Sequence, residues 1–533
     1  MTSTDATGHD IAVIGAGPGG LASAMLLAAS GARVTIYEAQ HEVGGRTARV
    51  RKGPFAFDRG PTFFLMPYVL EEIYRAAGMR LLDDVKMTRL DPMYRLIVGH
   101  PEGVSREPWT IDATQDIAEM SRRIAEIDPS DGANFERFIR DNRAKLLAAE
   151  PILRKPIRSL LDLVSGDAMG AATHIKPWHT VHSLLSKYFL HHAVRLAVSF
   201  QSKYLGMSPY ECPSLFTILP FIEYEYGIWH PEGGCNAIMH SMAGVVRNLG
   251  GDVRTNAPVE GLTFEGNRCT GVIVDGEARA HDHVVINADA AWALKNLLPE
   301  EQRRRVSGYS SDSQIDRKRY SCSTFMLYLG VDGEVRLPHH TIYISTQYQQ
   351  NLEDISTNGT LTDDPSIYVC NPSPLDPTLA PEGKSSLYVL VPTPNTKEGV
   401  GIDWSAEAPR LRNVALEQME HRMGIEHVRE RIEEEVVVTP DDWRGMNINH
   451  GATFNLAHNL NQMLHKRPQH RLQGLDGVWL VGGGTHPGSG LPVIFLSSQI
   501  TARLLCEEVG LRYAGEHGPS VTLRPTPPDP VTV

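Results

Sequence analysis

Three glycines and one acidic residue near the start of the chain have the types and spacing that bind a dinucleotide. Gly15, Gly17 and Gly20 form a G-x-G-x-x-G pattern, and Glu38 follows about twenty residues later. The first glycine of such a pattern permits a tight turn, the second lets the backbone approach a pyrophosphate, and the third lets a helix pack closely on a strand. A carboxylate at the position of Glu38 can accept hydrogen bonds from ribose hydroxyls. These residues predict a dinucleotide site, and the alternative is a glycine-rich turn without a ligand.

The elements that must position these residues follow one another as strand, helix and strand. Residues 11–14 are an apolar run that predicts a buried parallel strand, residues 21–29 predict a helix, and residues 33–37 predict a second strand that ends at Glu38. Gly19 lies next to Gly20 at the start of the helix. The N-terminus of that helix offers free N–H groups and a partial positive charge to phosphates.

A second glycine-rich segment lies near the end of the chain. Residues 478–481 predict a buried strand, and the sequence GGGTHPGSG follows at residues 482–490. Glycines at this density indicate that the backbone closely approaches another group. Pro492 suits the first turn of a helix that continues to about residue 505. This loop therefore presents another helix N-terminus to an electron-rich ligand atom.

Composition and charge restrict the class of protein. The chain has 533 residues, so two or three lobes are expected. Lys and Arg total 51 against 63 Asp and Glu, and the net charge of −12 disfavours a nucleic-acid partner. None of the six cysteines forms a C-x-x-C pair, which suits a reducing compartment. The N-terminus lacks the pattern of a signal peptide, and no apolar run reaches about 18 residues, so we expect a cytoplasmic protein whose membrane contact is peripheral.

A group of histidines has the residue type of a metal site but not its spacing. The pair with H-x-x-H spacing lacks a carboxylate motif, and the two adjacent histidines point in different directions on a helix. Solvated or core-edge positions are expected for all of them, and the sequence predicts no metal site. The histidines are His174, His179, His182, His191 and His192.

The residues after the second predicted strand favour FAD over a nicotinamide cofactor. Gly44-Gly45-Arg46 resembles the extension seen in flavoproteins of the amine-oxidase type, in which the arginine lies near the phosphates. The alternative for these residues is a loop with a solvated arginine.

Further motifs resemble the phytoene-desaturase type of carotenoid desaturase of bacteria and fungi. They are IGAGPGG at 14–20, FDRGPT at 57–62, GIWHPEGG at 227–234, YSCS at 320–323, DPTLAPEG at 376–383 and GTHPGSGLP at 484–492. The resemblance runs from about residue 9 to about residue 510. Its N-terminal motif is shared by many flavoproteins, whereas the C-terminal motif is much more specific.

This resemblance implies an α/β fold. A Rossmann-type FAD-binding domain, like that of glutathione reductase, is expected to be interleaved with a mixed-sheet substrate domain and a helical, membrane-associated lobe. The implied FAD-binding segments are residues 9–100, 230–300 and 441–512, the helical lobe is 101–229, and the substrate sheet is 301–440. The Pro-rich tail, residues 513–533, is expected to be disordered.

The resemblance also implies which residues hold FAD, and no histidine or cysteine lies in a motif for covalent attachment. The N–H groups at the positions expected to meet the ribityl chain and isoalloxazine, which are named last below, would stabilise negative charge on the reduced ring. The ADP half is expected at Gly15, Gly17, Gly19, Gly20, Glu38 and Arg46, with Gly60 and Pro61 in the adjoining motif, and the adenine edge at the backbone of Val259. The ribityl chain and isoalloxazine are expected at Gly483, Thr485, Gly490, Leu491 and Val493.

The reaction implied by the resemblance extends a conjugated polyene. A linear C40 or C30 substrate loses a hydride to the flavin and a proton from the neighbouring carbon, and oxygen or a quinone reoxidises the flavin. The developing cation is allylic, so no strong base is required, and the sequence assigns no catalytic residue. Carotenoid isomerases and terminal-methyl oxidases share these motifs and remain alternatives. A flavin amine oxidase and a non-catalytic flavin-binding protein are the alternatives outside carotenoid chemistry.

An insoluble hydrocarbon must be collected from a bilayer, which predicts a membrane-contacting surface. Residues 215–229 are the most aromatic and apolar part of the helical region, and they are too short and too acidic to span a membrane. Tyr and Trp suit the headgroup level of an interface. We expect this segment, with residues 184–190, to touch the bilayer. The alternative is that the segment packs inside the substrate lobe or lines its tunnel.

Overall fold

The computed structural model describes residues 8–100, 108–163, 176, 178–397 and 400–516. In these residues the strands are β1 Asp10–Ile14, β2 Arg33–Tyr37, β3 Arg49–Lys52, β4 Phe55–Asp58, β5 Met87–Arg89, β6 Tyr94–Val98, β7 Trp109–Ala113, β8 Trp229–Pro231, β9 Asp252–Arg254, β10 Val259–Glu265, β11 Arg268–Val274, β12 Glu277–Ala280, β13 His283–Ile286, β14 Ser323–Asp332, β15 His340–Ile344, β16 Ile367–Cys370, β17 Lys384–Thr393, β18 Ile432–Val438 and β19 Val478–Leu480. The α-helices are Pro18–Ala29, Pro67–Ala76, Leu81–Asp84, Ile117–Ile127, Pro129–Leu153, Val181–Leu185, His192–Ala197, Ile218–Tyr226, Cys235–Asn248, Ala290–Asn296, Glu300–Arg303, Asp312–Asp316, Tyr348–Glu353, Trp404–His421, Val428–Arg431, Pro440–Gly445 and Leu491–Val509.

A five-stranded parallel sheet carries the glycine loop of the predicted dinucleotide site. Its strand order is β19-β13-β1-β2-β9, so β1, β13 and β19 come from three well-separated parts of the sequence. Strands covered on both faces consist of apolar runs, and all four residues of β13 and all three of β19 are buried. The Pro18–Ala29 helix crosses between β1 and β2 and packs on the Leu491–Val509 helix. The glycine loops that follow β1 and β19 therefore meet at one edge of this sheet.

A seven-stranded mixed sheet forms the second layer. Its order is β18-β14-β17-β16-β15-β6-β7, and most neighbours are antiparallel, whereas β15 and β6 are parallel. The Trp404–His421 helix covers one face, where Leu411, Ala415 and Met419 are buried with Leu327 and Leu329 of β14. The strands β6 and β7 lie outside the predicted range 301–440, so this sheet also recruits residues from the first two predicted segments.

The helical lobe is built from two long helices and several short ones. The first helix begins at Asp116, whose carboxylate accepts hydrogen bonds from the N–H groups of Ala118 and Glu119. Asp128 caps the next helix in the same way, at the N–H groups of Ser130 and Asp131. A single residue, Asp128, therefore separates the two long helices.

The predicted membrane-contacting segment is largely core. Ile218, Phe221, Ile222 and Tyr224 are all buried, and Phe221 is only 1% exposed. The prediction that residues 215–229 form an outer surface is therefore wrong for these side chains, because they fill the space between the long helices and the edge of the seven-stranded sheet. Among the described residues, no helix combines the length and the apolar character that crossing a membrane requires.

The packed fold continues slightly beyond the predicted C-terminal boundary. Tyr513 is buried, and the N–H group of Ala514 donates to Ser30 Oγ at the end of the Pro18–Ala29 helix. The remainder of the predicted disordered tail, residues 517–533, lies outside the described residues.

Candidate functional site

The glycine loop after β1 is closed by backbone contacts that exclude side chains. Gly15 has φ +92°, and a Cβ atom on Gly20 would lie 2.1 Å from the Gly15 carbonyl oxygen. Gly17 precedes the Pro18–Ala29 helix as its N-cap and provides no side-chain hydrogen bond to it. The first N–H groups of this helix are therefore left for a ligand, as dinucleotide binding requires.

Asn287, which the sequence analysis missed, lies between the glycine loop after β1 and the glycine loop after β19 and contacts both. Its Nδ2 donates to the Gly15 carbonyl oxygen at 3.1 Å. A Cβ atom on Gly19 would lie 2.6 Å from its Oδ1, and one on Gly482 would lie 3.1 Å from the same atom. The available signal was its place directly after the buried strand β13, since the carboxyl ends of parallel strands share one edge of the sheet.

Glu38 is buried against the glycine loop. Its carboxylate accepts hydrogen bonds from the N–H groups of Ala16 at 2.7 Å and Gln40 at 2.8 Å. Burial raises the pKa of Glu38, although the same N–H groups oppose the shift. The Glu38 carbonyl oxygen accepts from the Ala257 N–H, which brings the start of β10 at Val259 to this end of the sheet. The predicted adenosine-side residues Glu38 and Val259 therefore lie near one another.

Arg46 links the first predicted FAD-binding segment to the third. The buried guanidinium donates to the Thr453 carbonyl oxygen at 2.7 Å and to Asn455 Oδ1 at 3.1 Å. Burial lowers the pKa of Arg46, and the nearby charge of Asp289 opposes that shift. Gly60 packs on the same turn, because a Cβ atom there would lie 2.5 Å from the Arg46 carbonyl oxygen. These contacts hold Arg46 against the protein and favour the predicted role over the alternative of a solvated arginine.

Pro61 is half-buried between Gly60 and the buried Thr62. The structure thus keeps the predicted FDRGPT motif beside the arginine turn, with Pro61 as its partly accessible member.

A second buried arginine, Arg467, shapes the loop 482–490 and was also missed by sequence reasoning. Its guanidinium donates to the carbonyl oxygens of Gly483 at 2.7 Å, Thr485 at 3.2 Å and Leu456 at 3.1 Å. Burial lowers the pKa of Arg467 to about 10. The carbonyl groups of Gly483 and Thr485 point toward the Arg467 guanidinium, so the opposite side of the loop is left to N–H groups. No motif marks this residue, because an arginine in a loop usually indicates solvent exposure.

The loop combines a buried, unpaired hydroxyl group with open space at the N-terminus of the following helix. Thr485 is buried, and no described residue hydrogen-bonds its Oγ1. Gly483 packs against Asn455 and Ser489, so its backbone position is fixed. Gly490, with φ +110°, is the N-cap of the Leu491–Val509 helix, and a Cβ atom there would meet no described atom within 4 Å. Space at the N-terminus of a helix fits an electron-rich ring edge.

The first turn of this helix approaches the first glycine loop. Leu491 is buried and Val493 is half-buried, and the side chain of Ile494 reaches to within 3.2 Å of the Cβ position of Gly19. Together with the glycine loop after β1, Glu38 and Arg46, the residues 482–493 form what we call the FAD cradle. The missing side chains, the free helix N-termini and the unpaired Thr485 hydroxyl all fit an extended dinucleotide.

A cluster of rings lies beyond the FAD cradle, where the helical lobe meets the seven-stranded sheet. The ring of Phe63 stacks on His340 with centroids 4.0 Å apart and planes at 12°. The phenol rings of Tyr94, Tyr204 and Tyr368 surround the same Phe63 ring at 5.3–6.5 Å. We call these five residues the aromatic cluster. Phe63 directly follows the FDRGPT motif, so the cluster adjoins the flavin-binding segment.

Glu223 supports the cluster from the helical lobe. Its buried carboxylate accepts hydrogen bonds from Tyr204 Oη at 2.7 Å, Gln201 Nε2 at 3.0 Å and Tyr94 Oη at 3.2 Å. Burial raises the pKa of Glu223 to about 7, and the three donors oppose the shift. Three hydrogen bonds to one carboxylate fix the orientation of two rings of the cluster.

His339, His340 and Cys370 bring three possible metal-ligand atoms within 4.8 Å of one another. Nδ1 of His340 is already hydrogen-bonded to Tyr368 Oη at 2.7 Å. Burial raises the pKa of the Cys370 thiol well above its ordinary value, which keeps the sulfur protonated. We therefore assign these three groups to hydrogen bonding.

Two of the histidines that the sequence analysis considered are hydrogen-bonded to protein groups. His179 contacts Ser183 and Lys187, and His191 accepts a hydrogen bond from the Ala193 N–H. His174 lies outside the described residues.

Comparison with known proteins identifies relatives along nearly the whole chain. The family model described as flavin containing amine oxidoreductase matches residues 18–506. A 4,4'-diapophytoene desaturase (4,4'-diapolycopene-forming) of Methylomonas sp. is 40% identical over 505 residues, which are 94% of this chain and 96% of the relative. The all-trans-zeta-carotene desaturase of Myxococcus xanthus is 37% identical and covers 96% of both chains. A neurosporene-forming phytoene desaturase of Rhodobacter capsulatus is 34% identical and covers 94% of this chain and 95% of its own.

Solved structures with the same fold are more distant in sequence. An oxidoreductase from Methanosarcina mazei gives a TM-score of 0.61 at 18% identity and covers 93% of this chain and 99% of its own. Cyclohexylamine oxidase from Brevibacterium oxydans gives 0.56 at 15% identity, with 95% and 100% coverage. At these identities the likeness concerns the fold, and it confirms the predicted α/β architecture.

Proposed function

Since the chain belongs to the flavin containing amine oxidoreductase family and to its carotenoid-desaturase members, we propose that it is an FAD-dependent carotenoid desaturase. The observation that carries this proposal is 34–40% identity to three carotenoid desaturases along nearly the full length of each. The substrate is a linear polyene, and the reaction extends its conjugation by one double bond per turnover. Both C30 and C40 chains fit this proposal.

The residues of the FAD cradle are proposed to divide the cofactor between them. The helix that starts at Pro18 and the Arg46 guanidinium hold the pyrophosphate, Glu38 accepts from the adenosine ribose, and the backbone at Val259 meets the adenine edge. The loop after β19, with Gly483, Thr485, Gly490, Leu491 and Val493, holds the ribityl chain and the ring. When bound, FAD accepts the hydride that the substrate loses. Support comes from the free N–H groups, the missing side chains and the buried charges described above.

The segment boundaries follow from the same proposal. Residues 9–100, 230–300 and 441–512 supply β1, β13 and β19 to one sheet, which supports an FAD domain that is assembled from three segments. The seven-stranded sheet and the helical lobe then hold the polyene, and the aromatic cluster at their junction offers apolar ring faces to it.

The membrane contact is proposed to involve exposed side chains of the helical lobe. Leu161, Trp178 and Leu190 are 82%, 74% and 70% exposed. Leucine and tryptophan at this exposure suit the headgroup region of a bilayer, and Arg158 and Lys187 lie nearby in the sequence to contact anionic lipid. These exposed side chains replace the buried segment 215–229 in the proposal.

One experiment separates the candidate activities. Purified protein with FAD is incubated with phosphatidylcholine vesicles that contain phytoene, 4,4'-diapophytoene or a preformed carotene, and the pigments are analysed by absorbance and mass. A desaturase shifts the absorbance to the red and removes two hydrogens per step. An isomerase leaves the mass unchanged, a terminal-methyl oxidase adds oxygen, and an amine oxidase acts on none of them. Repeating the incubation without oxygen, with and without a quinone, identifies the electron acceptor.

A further inference from the structure

His340 differs from the other buried polar groups of the aromatic cluster because one of its nitrogens is left without a partner. The side chain is 0% exposed, and no described residue hydrogen-bonds its Nε2. The Glu223 carboxylate nearby has three donors and is engaged on both oxygens. A buried polar atom without a protein partner is available to a ligand, a water molecule or a reacting group.

The other nitrogen of His340 begins a chain of hydrogen bonds. Tyr368 Oη lies 2.7 Å from His340 Nδ1 and 2.6 Å from Thr62 Oγ1. Each of the two hydroxyl groups can both donate and accept a proton, so the chain can carry a proton in either direction. Thr62 directly follows Gly60 and Pro61, and the chain therefore ends at the motif that packs on the Arg46 turn.

A small cavity lies at the far end of the chain. The cavity has a volume of about 10 Å³, the size of one water molecule, and Thr62, Asp58 and His230 are among its lining residues. The Asp58 carboxylate accepts from the N–H groups of Cys235 and Asn236, and burial raises the pKa of Asp58 to about 6. His230 is paired with Asp376 at 2.9 Å. A proton that arrives here finds carboxylates beside it.

On the basis of the proposed function, we propose that His340 is the proton acceptor of the desaturation and that Tyr368 and Thr62 lead the proton away. The bound flavin would supply the hydride acceptor for one carbon. The neighbouring carbon gives its proton to the lone pair of His340 Nε2, and the electron pair of that C–H bond becomes the second bond of the new alkene. The Nδ1 proton then passes through Tyr368 Oη and Thr62 Oγ1 toward the cavity beside Asp58. This leaves the neutral tautomer with the proton on Nε2. After the product leaves, loss of the Nε2 proton to water at the substrate site and return of a proton through Tyr368 to Nδ1 restore the starting form.

A neutral imidazole suits this task better than a carboxylate. Burial lowers the pKa of His340 far below the ordinary histidine value, and the charge of His230 adds to the shift, so the ring stays unprotonated at neutral pH. A weak base is sufficient, because a carbon next to an allylic cation is strongly acidic. A charged base beside a hydrocarbon would carry a large desolvation cost, whereas a neutral ring stacked on Phe63 does not.

The test compares variants of His340, Tyr368 and Thr62 as holoenzymes. The rate of flavin reduction is measured without oxygen, on phosphatidylcholine vesicles with phytoene or 4,4'-diapophytoene, in H2O and D2O. His340→Gln is expected to lower this rate by about 100-fold or more. The isosteric variants Tyr368→Phe and Thr62→Val are expected to lower it less and to abolish the solvent isotope effect. FAD content, reduction by dithionite and quenching of protein fluorescence by the bound polyene are expected to stay as in the wild type.

Tyr343→Phe is the matched control. It removes a buried phenol hydroxyl from the same strand, β15, but on the opposite face, where Tyr343 Oη donates to Asp364. It should keep the wild-type rate and isotope effect.

The outcomes are distinguishable. If the wild-type protein reduces no flavin with either polyene, the proposed function fails and this inference fails with it. If the wild type reacts and His340→Gln reacts as fast, only the inference is refuted. A metal ion that co-purifies in equal amount and is lost in His340→Gln would also refute it. If His340→Gln fails to retain FAD, the two isosteric variants decide by their isotope effects.

Discussion

The FAD cradle and the aromatic cluster lie at the two ends of the short loop from Gly60 to Phe63, and they are built by different means. The cradle presents backbone N–H groups, and glycines such as Gly20 and Gly490 keep side chains away from the ligand. The cluster brings together side chains from separate segments of the chain. Its hydrogen bonds depend on individual side-chain atoms, such as His340 Nδ1 and Tyr368 Oη. A backbone site leaves a local pattern in the sequence, whereas a side-chain site leaves scattered residues.

The largest effect is expected from a methyl group at the tightest point of the cradle. Gly20→Ala places Cβ 2.1 Å from the Gly15 carbonyl oxygen, so the glycine loop must open and FAD binding should be lost. FAD content and the thermal unfolding midpoint measure the change. Gly244→Ala is the control, because this helical glycine has no described atom within 4 Å of its Cβ position, and alanine there should stabilise the helix by about 1 kcal/mol. Normal FAD content in Gly20→Ala would falsify the proposed close packing.

The sequence predicts the cradle well because its chemistry is local. Gly15, Gly17 and Gly20 fall within six residues, and the strand and helix that flank them are strongly apolar. Asn287 and Arg467 escape prediction because they reach the cradle through space, from 272 and 16 residues away from the groups that they contact. A polar residue after a strand and an arginine in a loop are both common at protein surfaces. Only the folded structure shows that Arg467 is buried and that the half-buried Asn287 is hydrogen-bonded to the glycine loop.

The cluster escapes prediction for a related reason. His340, Tyr368 and Thr62 form one hydrogen-bond chain, but the sequence separates Thr62 from Tyr368 by 306 residues. The segment 215–229 was misjudged because aromatic residues are typical of both membrane interfaces and cores. Burial of Phe221 is decided by helices that pack over it, which local composition does not encode.

The second-largest effect is expected from a side chain at Gly490, where the cradle faces the ligand rather than other protein atoms. Gly490→Val introduces a side chain into space that no described atom fills, and at φ +110° it also strains the backbone by about 1–3 kcal/mol. We expect retained circular dichroism and lost turnover. Gly510→Val tests the strain alone, because Gly510 ends the same helix with φ +76° and equally open space. If both variants lose activity to the same extent, the helix rather than the ligand explains the effect.

A smaller effect is expected at Glu38, which contacts the ligand only at its adenosine end. Glu38→Ala removes an acceptor for ribose and also the partner of the Ala16 N–H. The loss of about 1.5–3 kcal/mol corresponds to about 10–150-fold weaker FAD binding. Titration of the apoprotein with FAD measures the affinity, and saturating FAD should restore most of the turnover with the same product. A changed product at saturating FAD would contradict the placement of Glu38 far from the reacting carbon atoms.

The smallest effect on the chemistry is expected from the outer surface of the helical lobe. Trp178 and Leu190 are 74% and 70% exposed, so replacing both with serine should leave the unfolding midpoint nearly unchanged. If these side chains enter the headgroup region, each contributes up to about 1.5–3 kcal/mol, and co-sedimentation with anionic vesicles should fall about tenfold or more. Turnover on detergent-solubilised polyene should stay normal, because neither side chain belongs to the cradle or the cluster.

Leu460→Ser is the control for this double variant. Leu460 is 54% exposed but lies outside the helical lobe, between β18 of the seven-stranded sheet and β19 in the sequence. Equal loss of vesicle binding in the control would mean that general surface hydrophobicity, and not this face, holds the protein to lipid. Unchanged binding in the double variant would place the membrane contact elsewhere and leave the desaturase proposal intact.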